Sequence, residues 1–172
     1  MKKKGIQKMK SWYKIMIIAV LSFLMAGCDN KKDVMKDEII HYVEQTNEIA
    51  EIKNQAITTY NDICSDAKGM EKDELLEYLQ TEVLNKLEEY ETKLAQITVN
   101  TKELEDFKLQ LQEIVAKQKQ DVQDTVDALK GCNPDVVDEI NLSIEENKSA
   151  YEEYMSQLQE YAKKYQIQIT EE

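Results

Sequence analysis

Arginine is absent from these 172 residues; proline occurs once, histidine once and glycine four times. Without arginine the chain lacks the planar fork that grips phosphates and carboxylates in two-point contacts. Scarce glycine and proline exclude a strand-rich fold, which needs a tight turn every few residues. One histidine excludes any multi-histidine metal centre. The longest uncharged apolar run, Ile15 to Gly27, is also short. As a helix it would reach about 20 Å, against a hydrocarbon core of about 30 Å, so it makes a poor permanent membrane span. What is abundant instead is Glu, Lys, Gln, Leu and Ala, the residues that lose least on entering a helix. Composition alone therefore predicts an all-α fold, and the length suits one ordinary domain.

Charge is unevenly spread. Six of the 22 lysines (2, 3, 4, 8, 10 and 14) precede the apolar run, whereas the 34 acids begin at Asp29. After position 27 the balance is 16 lysines against 34 acids, a net charge of −18. Such a surface repels phosphate backbones, so nucleic acid is not an expected partner. A basic start, a short apolar stretch and small residues at its end describe an export signal over residues 1–27. Its end, Leu24-Met25-Ala26-Gly27-Cys28, resembles the lipobox of bacterial lipoproteins, with methionine where leucine is usual. The resemblance implies a diacylglyceryl thioether on Cys28 and cleavage between Gly27 and Cys28, leaving the protein on the outer face of a membrane. A double-chain anchor fits the physics, since one acyl chain holds a protein only marginally. Residues 28–33 then form a short tether, and 34–172 the body.

Four segments of the body carry apolar residues at helical spacing. The first, about Val34 to Cys64, presents Ile39, Tyr42, Ile49, Ala56, Tyr60 and Ile63, a seam interrupted by Thr46 and Lys53. Ser65 to Gly69 reads as a polar turn. The second, about Glu71 to Ile97, aligns Leu76, Leu79, Val83, Leu87, Tyr90, Leu94 and Ile97. A break at Thr98 to Thr101 follows, with Asn100 and Glu103 spaced as a capping box. The third, about Thr101 to Lys130, carries Leu104, Phe107, Leu111, Ile114, Val115, Val122, Val126 and Leu129, with Gln118 on the same stripe. Gly131 is placed for a helix stop, Asn133 for an N-cap and Pro134 for the first helical position. The fourth, about Pro134 to Ile169, holds Val137, Ile140, Ile144, Tyr151, Met155, Leu158, Tyr165 and Ile169. Short connections favour an antiparallel four-helix bundle. The alternative is an elongated three-helix rod with residues 71–130 as one helix.

Cys64 and Cys132 discriminate between these arrangements. In the bundle they lie at the same end, and outside the membrane a Cys64–Cys132 disulfide is chemically permitted. In the rod they lie at opposite ends. The plainer account, two small residues that never pair, carries equal weight.

Candidate chemistry is sparse. Glu38-Ile39-Ile40-His41 spells the E-x-x-H of carboxylate di-iron bundles, but those need a second such motif and two further glutamates. No metal and no cofactor are expected. Nucleophilic catalysis is disfavoured because Cys64 and Cys132 sit near helix C-termini, where the dipole opposes a thiolate. Glutamates on solvated faces lack the pocket that a general acid needs. Tyr151, Tyr154, Tyr161 and Tyr165 share one arc of the last helix, which suits either stacking on sugar rings or a core seam; the core reading is favoured. Tyr78 lies opposite its helix's apolar stripe and is expected to be exposed.

Taken whole, the chain resembles the small Lys/Glu-rich helical lipoproteins of Gram-positive bacteria, one family of which is described as cell-wall-binding. The expected function is a non-catalytic helical interaction protein at the cell envelope, held to the membrane through Cys28. Its partner is an envelope protein or a second copy of itself; the alternative is a module that binds peptidoglycan. The interrupted seams at Thr46, Lys53, Gln118 and Asn147 are expected to admit a partner helix.

Overall fold

The structure, a computed structural model, describes residues 16–20, 30–66 and 70–171. Its elements in chain order are β1 (Met16–Val20), α1 (Asn30–Asp66), α2 (Lys72–Tyr78), a π-helical turn (Leu79–Leu84), α3 (Asn85–Gln96), α4 (Lys102–Gly131), a 3-10 turn (Pro134–Val136), α5 (Val137–Lys163) and β2 (Ile167–Glu171). The protein is all-α apart from the small antiparallel pairing of β1 with β2, in which Ile18 lies opposite Ile169. The long 71–130 helix of the rod is ruled out. At Ile97 the backbone turns extended (φ −61°, ψ 123°), and the carbonyl there accepts from Lys108 Nζ at 3.2 Å.

Helix boundaries depart from expectation at four places. α1 begins at Asn30, so residues 30–33 are helical rather than a tether. The Asn100 capping box does not form: Thr101 is the N-cap of α4, with no side-chain cap bond. Gly131 is the last helical residue, and Cys132 takes the left-handed conformation (φ 50°, ψ 39°) that glycine was expected to supply. The Asn133–Pro134 start does hold, with Asn133 Oδ1 accepting from Asp135 N at 3.1 Å. The last helix stops at Lys163 instead of running to Ile169. Gln166 adopts φ 60°, and the strand that follows buries Ile167 and Ile169 while exposing Gln168. In Gln166-Ile167-Gln168-Ile169 an apolar residue falls at every second position, the period of a strand. The same isoleucine also continues the helical spacing of Leu158 and Tyr165, so both periods fit.

The π-helical turn has a cause in the sequence. Buried Leu75, Leu79, Val83 and Leu87 recur every four residues. Three α-helical turns take only about 11 residues, so a strict repeat of four would rotate the apolar face away from its neighbours. One wider turn, in which Asn85 N–H reaches back five residues to the Gln80 carbonyl, absorbs the excess.

Two apolar clusters fill the interior. The first gathers Ile39, Tyr42, Leu94, Leu104, Tyr154, Leu158 and Ile167; the second gathers Ala56, Tyr60, Leu79, Val83, Leu87, Val122 and Ile140. Each fully buried leucine or isoleucine contributes about 1.5–3 kcal/mol relative to exposure. Between the clusters lies a polar layer.

Candidate functional site

The polar layer between the clusters holds Lys53, Gln118, Asp121 and Asn147, while Thr46 sits within the first cluster and Thr125 within the second; all six are buried. The interruptions therefore do not leave open seams for a partner helix; the structure folds them inside. Thr46 manages this locally, its hydroxyl donating to the Tyr42 carbonyl (3.0 Å) and the Val43 carbonyl (2.9 Å) of its own helix. Thr125 does the same with the Asp121 carbonyl at 2.8 Å and also meets the Tyr60 hydroxyl at 3.1 Å.

Lys53 is the unusual member. It is 6 % exposed, and no carboxylate among the described residues pairs with it. Its ammonium lies 4.6 Å from the centroid of the Tyr151 ring and 5.7 Å from that of Tyr90, within reach of their π faces. Two ring faces replace only part of the lost hydration, and burial pushes the lysine pKa down from 10.5 to about 8. Helix register fixes what lies level with it. Tyr60 meets Thr125 at a separation of 65 residues, and the same offset carried along α1 and α4 sets Lys53 level with Gln118. Gln118 Oε1 and Asn147 Oδ1 are buried without hydrogen-bond partners among the described residues. Asp121 Oδ1 accepts from the Ser143 hydroxyl at 2.5 Å, and burial raises its pKa against the opposing pull of Ser143 and Asn147.

On the outside of this layer, α4 and α5 leave a groove of about 370 Å³. Its floor is Ile114, Asn147 and Tyr154; its rim carries Glu113, Lys117 and Glu153, and Ala150 leaves it open. Asn147 is held from behind by donation of Nδ2 to the Ile114 carbonyl at 3.2 Å.

The residues singled out from sequence fall as follows. Gly27 and Cys28 lie outside the described residues. Cys64 is half-buried and Cys132 exposed, and no disulfide joins them. The α1–α4 register puts them at the same end. Lys72 Nζ lies 3.4 Å from Cys132 Sγ. His41 is exposed, and no group of three His, Cys, Asp or Glu side chains converges among the described residues. Tyr151, Tyr154 and Tyr161 are buried and Tyr165 half-buried, so this arc is a core seam, whereas Tyr78 is 43 % exposed as expected. Burial raises the phenol pKa of Tyr42, Tyr60, Tyr90, Tyr154 and Tyr161. The groove went unnoticed in sequence because its defining feature, small Ala150 facing α4, carries no local pattern.

No family model, no curated protein and no solved structure matches this chain. No helix among the described residues is long and apolar enough to cross a membrane.

Proposed function

We propose that this protein is a bacterial lipoprotein, exported, cleaved before Cys28, anchored by lipid on that cysteine to the outer face of the membrane, and acting there as a non-catalytic helical interaction protein. The observation that carries the reading is the sequence itself: a lysine-rich start, a short apolar run, and Ala26-Gly27-Cys28 at its end. The helical body supports a binding rather than a catalytic role. Its strongly perturbed ionisable groups are core tyrosines and Lys53, all buried among the helices. Burial of Tyr151, Tyr154 and Tyr161 weighs against an aromatic platform on α5 of the kind the peptidoglycan-binding alternative would use.

The test is metabolic labelling of cells with an alkyne fatty acid, followed by mass spectrometry of the purified chain. A mature protein that begins at Cys28 and carries the label, with both features lost in Cys28→Ser, supports the reading. An unprocessed, unlabelled chain starting at Met1 sinks it. Capture of membrane proteins on the soluble 33–172 fragment, beside sedimentation with purified peptidoglycan, then separates the adaptor from the wall-binding module.

A further inference from the structure

We propose that β2 masks the apolar run at the start of the chain: in the complete precursor the C-terminal strand holds Met16–Val20 against the helical body, so the folded precursor stays off membranes until that pairing opens. This rests on the reading of residues 1–27 as an export signal, and adds a control on when that signal can act.

The pairing begins with sequence. Met16-Ile17-Ile18-Ala19-Val20 lies inside the uncharged run Ile15 to Gly27 and is rich in the β-branched residues that favour strands. The structure sets it antiparallel to Ile167–Glu171, with Ile18 opposite Ile169 and Val20 opposite Ile167. β2 is itself fastened to the body. Ile167 is 1 % exposed and Ile169 4 %, both within the apolar cluster that holds Leu104 and Leu158. Gln166, at φ 60°, turns the chain out of α5 and into this strand. β1 also lies beside α1. The apolar run is thereby joined to the folded core.

Pairing and membrane entry exclude each other over these five residues. Hydrocarbon offers the backbone no hydrogen-bond partner, so a single segment that enters it must be helical. In the ladder the same backbone is bonded to β2 and rises about 3.3 Å per residue, against about 1.5 Å in a helix. The folded precursor has to break the ladder before its apolar run can enter lipid.

Order of synthesis leaves a window before the mask forms. Ile169 follows its partner Ile18 by about 150 residues. At about 5–20 residues per second that interval lasts roughly 8–30 s. A chain engaged at the membrane within it is never masked, whereas one that is completed and folded first is.

The experiment follows the emission of Trp12, the only tryptophan, as the purified full-length Cys28→Ser chain meets phosphatidylcholine vesicles. Their neutral surface gives the N-terminal lysines no net charge to bind. The chain folded before vesicles are added should partition weakly; the same chain diluted from urea straight into vesicles should insert, with a blue shift. Gln168→Pro/Thr170→Pro removes two strand N–H groups and holds φ near about −65°, against about −140° in an antiparallel strand, while Ile167 and Ile169 stay in place. The folded double variant should partition about tenfold more strongly, as loss of two backbone hydrogen bonds implies. Hydrogen exchange should find the amides of residues 16–20 protected in the folded parent chain and fast in the variant. Equal insertion, or none, whatever the order of addition would overturn the mask. So would unprotected amides at 16–20 in the folded parent, or a folded variant that binds no better than the parent. If circular dichroism shows the variant unfolded, order of addition and exchange in the parent chain still decide. Vesicle entry needs neither cleavage nor lipid on Cys28, so this test and that of lipid anchoring fail separately.

Discussion

The hydroxyls of Tyr42 and Tyr154 meet at 2.9 Å across α1 and α5, at residues 112 apart in sequence and both almost fully buried. Each is the other's means of satisfying a polar group in an apolar cluster. Tyr42→Phe or Tyr154→Phe alone should cost about 1–3 kcal/mol, because the surviving hydroxyl is left buried without its partner. The double variant should cost less than the sum of the two. Urea unfolding of all four chains in a double-mutant cycle checks this, and additive losses would mean the bond contributes nothing.

Lys53 should make stability depend on pH in a defined window. Its pKa falls from 10.5 in the unfolded chain to about 8 in the fold. Between those values the unfolded state binds a proton that the native state does not, so stability rises with pH from about 8 towards 10. Above about 10 the tyrosines reverse the trend: the unfolded chain gives up phenol protons that the buried side chains retain. Lys53→Met should flatten the rise between pH 8 and 10 and stabilise the fold by about 2–3 kcal/mol at pH 7. Thermal melts across pH 6–11 would show it; an unchanged slope in the variant would refute the assignment.

Cys132 holds a left-handed backbone at the end of α4, a conformation that costs a residue with a Cβ about 1 kcal/mol more than glycine. Cys132→Gly should therefore raise stability by about that amount in chemical denaturation. A destabilised variant would show that the contact with Lys72 outweighs the backbone relief.

The two thiols should differ in reactivity. Cys132 is exposed and Cys64 half-buried at the end of α1. Iodoacetamide should modify Cys132 about tenfold faster in the native chain, with the rates converging in urea. Peptide mapping over time reads both rates, and equal native rates would contradict the burial.

The helical body was legible in the sequence wherever one period dominated. The stripe of Val83, Leu87, Tyr90 and Leu94 and the Asn133–Pro134 start are local signals, and local physics decided them. The end of α5 was ambiguous because Ile169 fits both a helical stripe and a two-residue alternation; contact of Ile167 and Ile169 with the first cluster selected the strand. Thr46, Lys53, Gln118 and Asn147 read as gaps in a seam. A gap can be filled by a neighbour or turned inward, and that choice depends on how four helices align, which no single helix records. The groove was least legible, since it depends on Ala150 of α5 lying beside Glu113 and Ile114 of α4.

The wide turn at Leu79–Leu84 has a genetic consequence. It holds one residue more than an ordinary helical turn, so it is a place where the reading frame of side chains, as distinct from that of codons, has slack. Loss of a single codon there would turn the segment into a plain α-helix and leave Leu87, Tyr90 and Leu94 still pointing inward. The same loss one turn into α3 would swing every later side chain of that helix by about 100°. Length variation in this otherwise rigid helix is thus tolerated at one address and punished beside it.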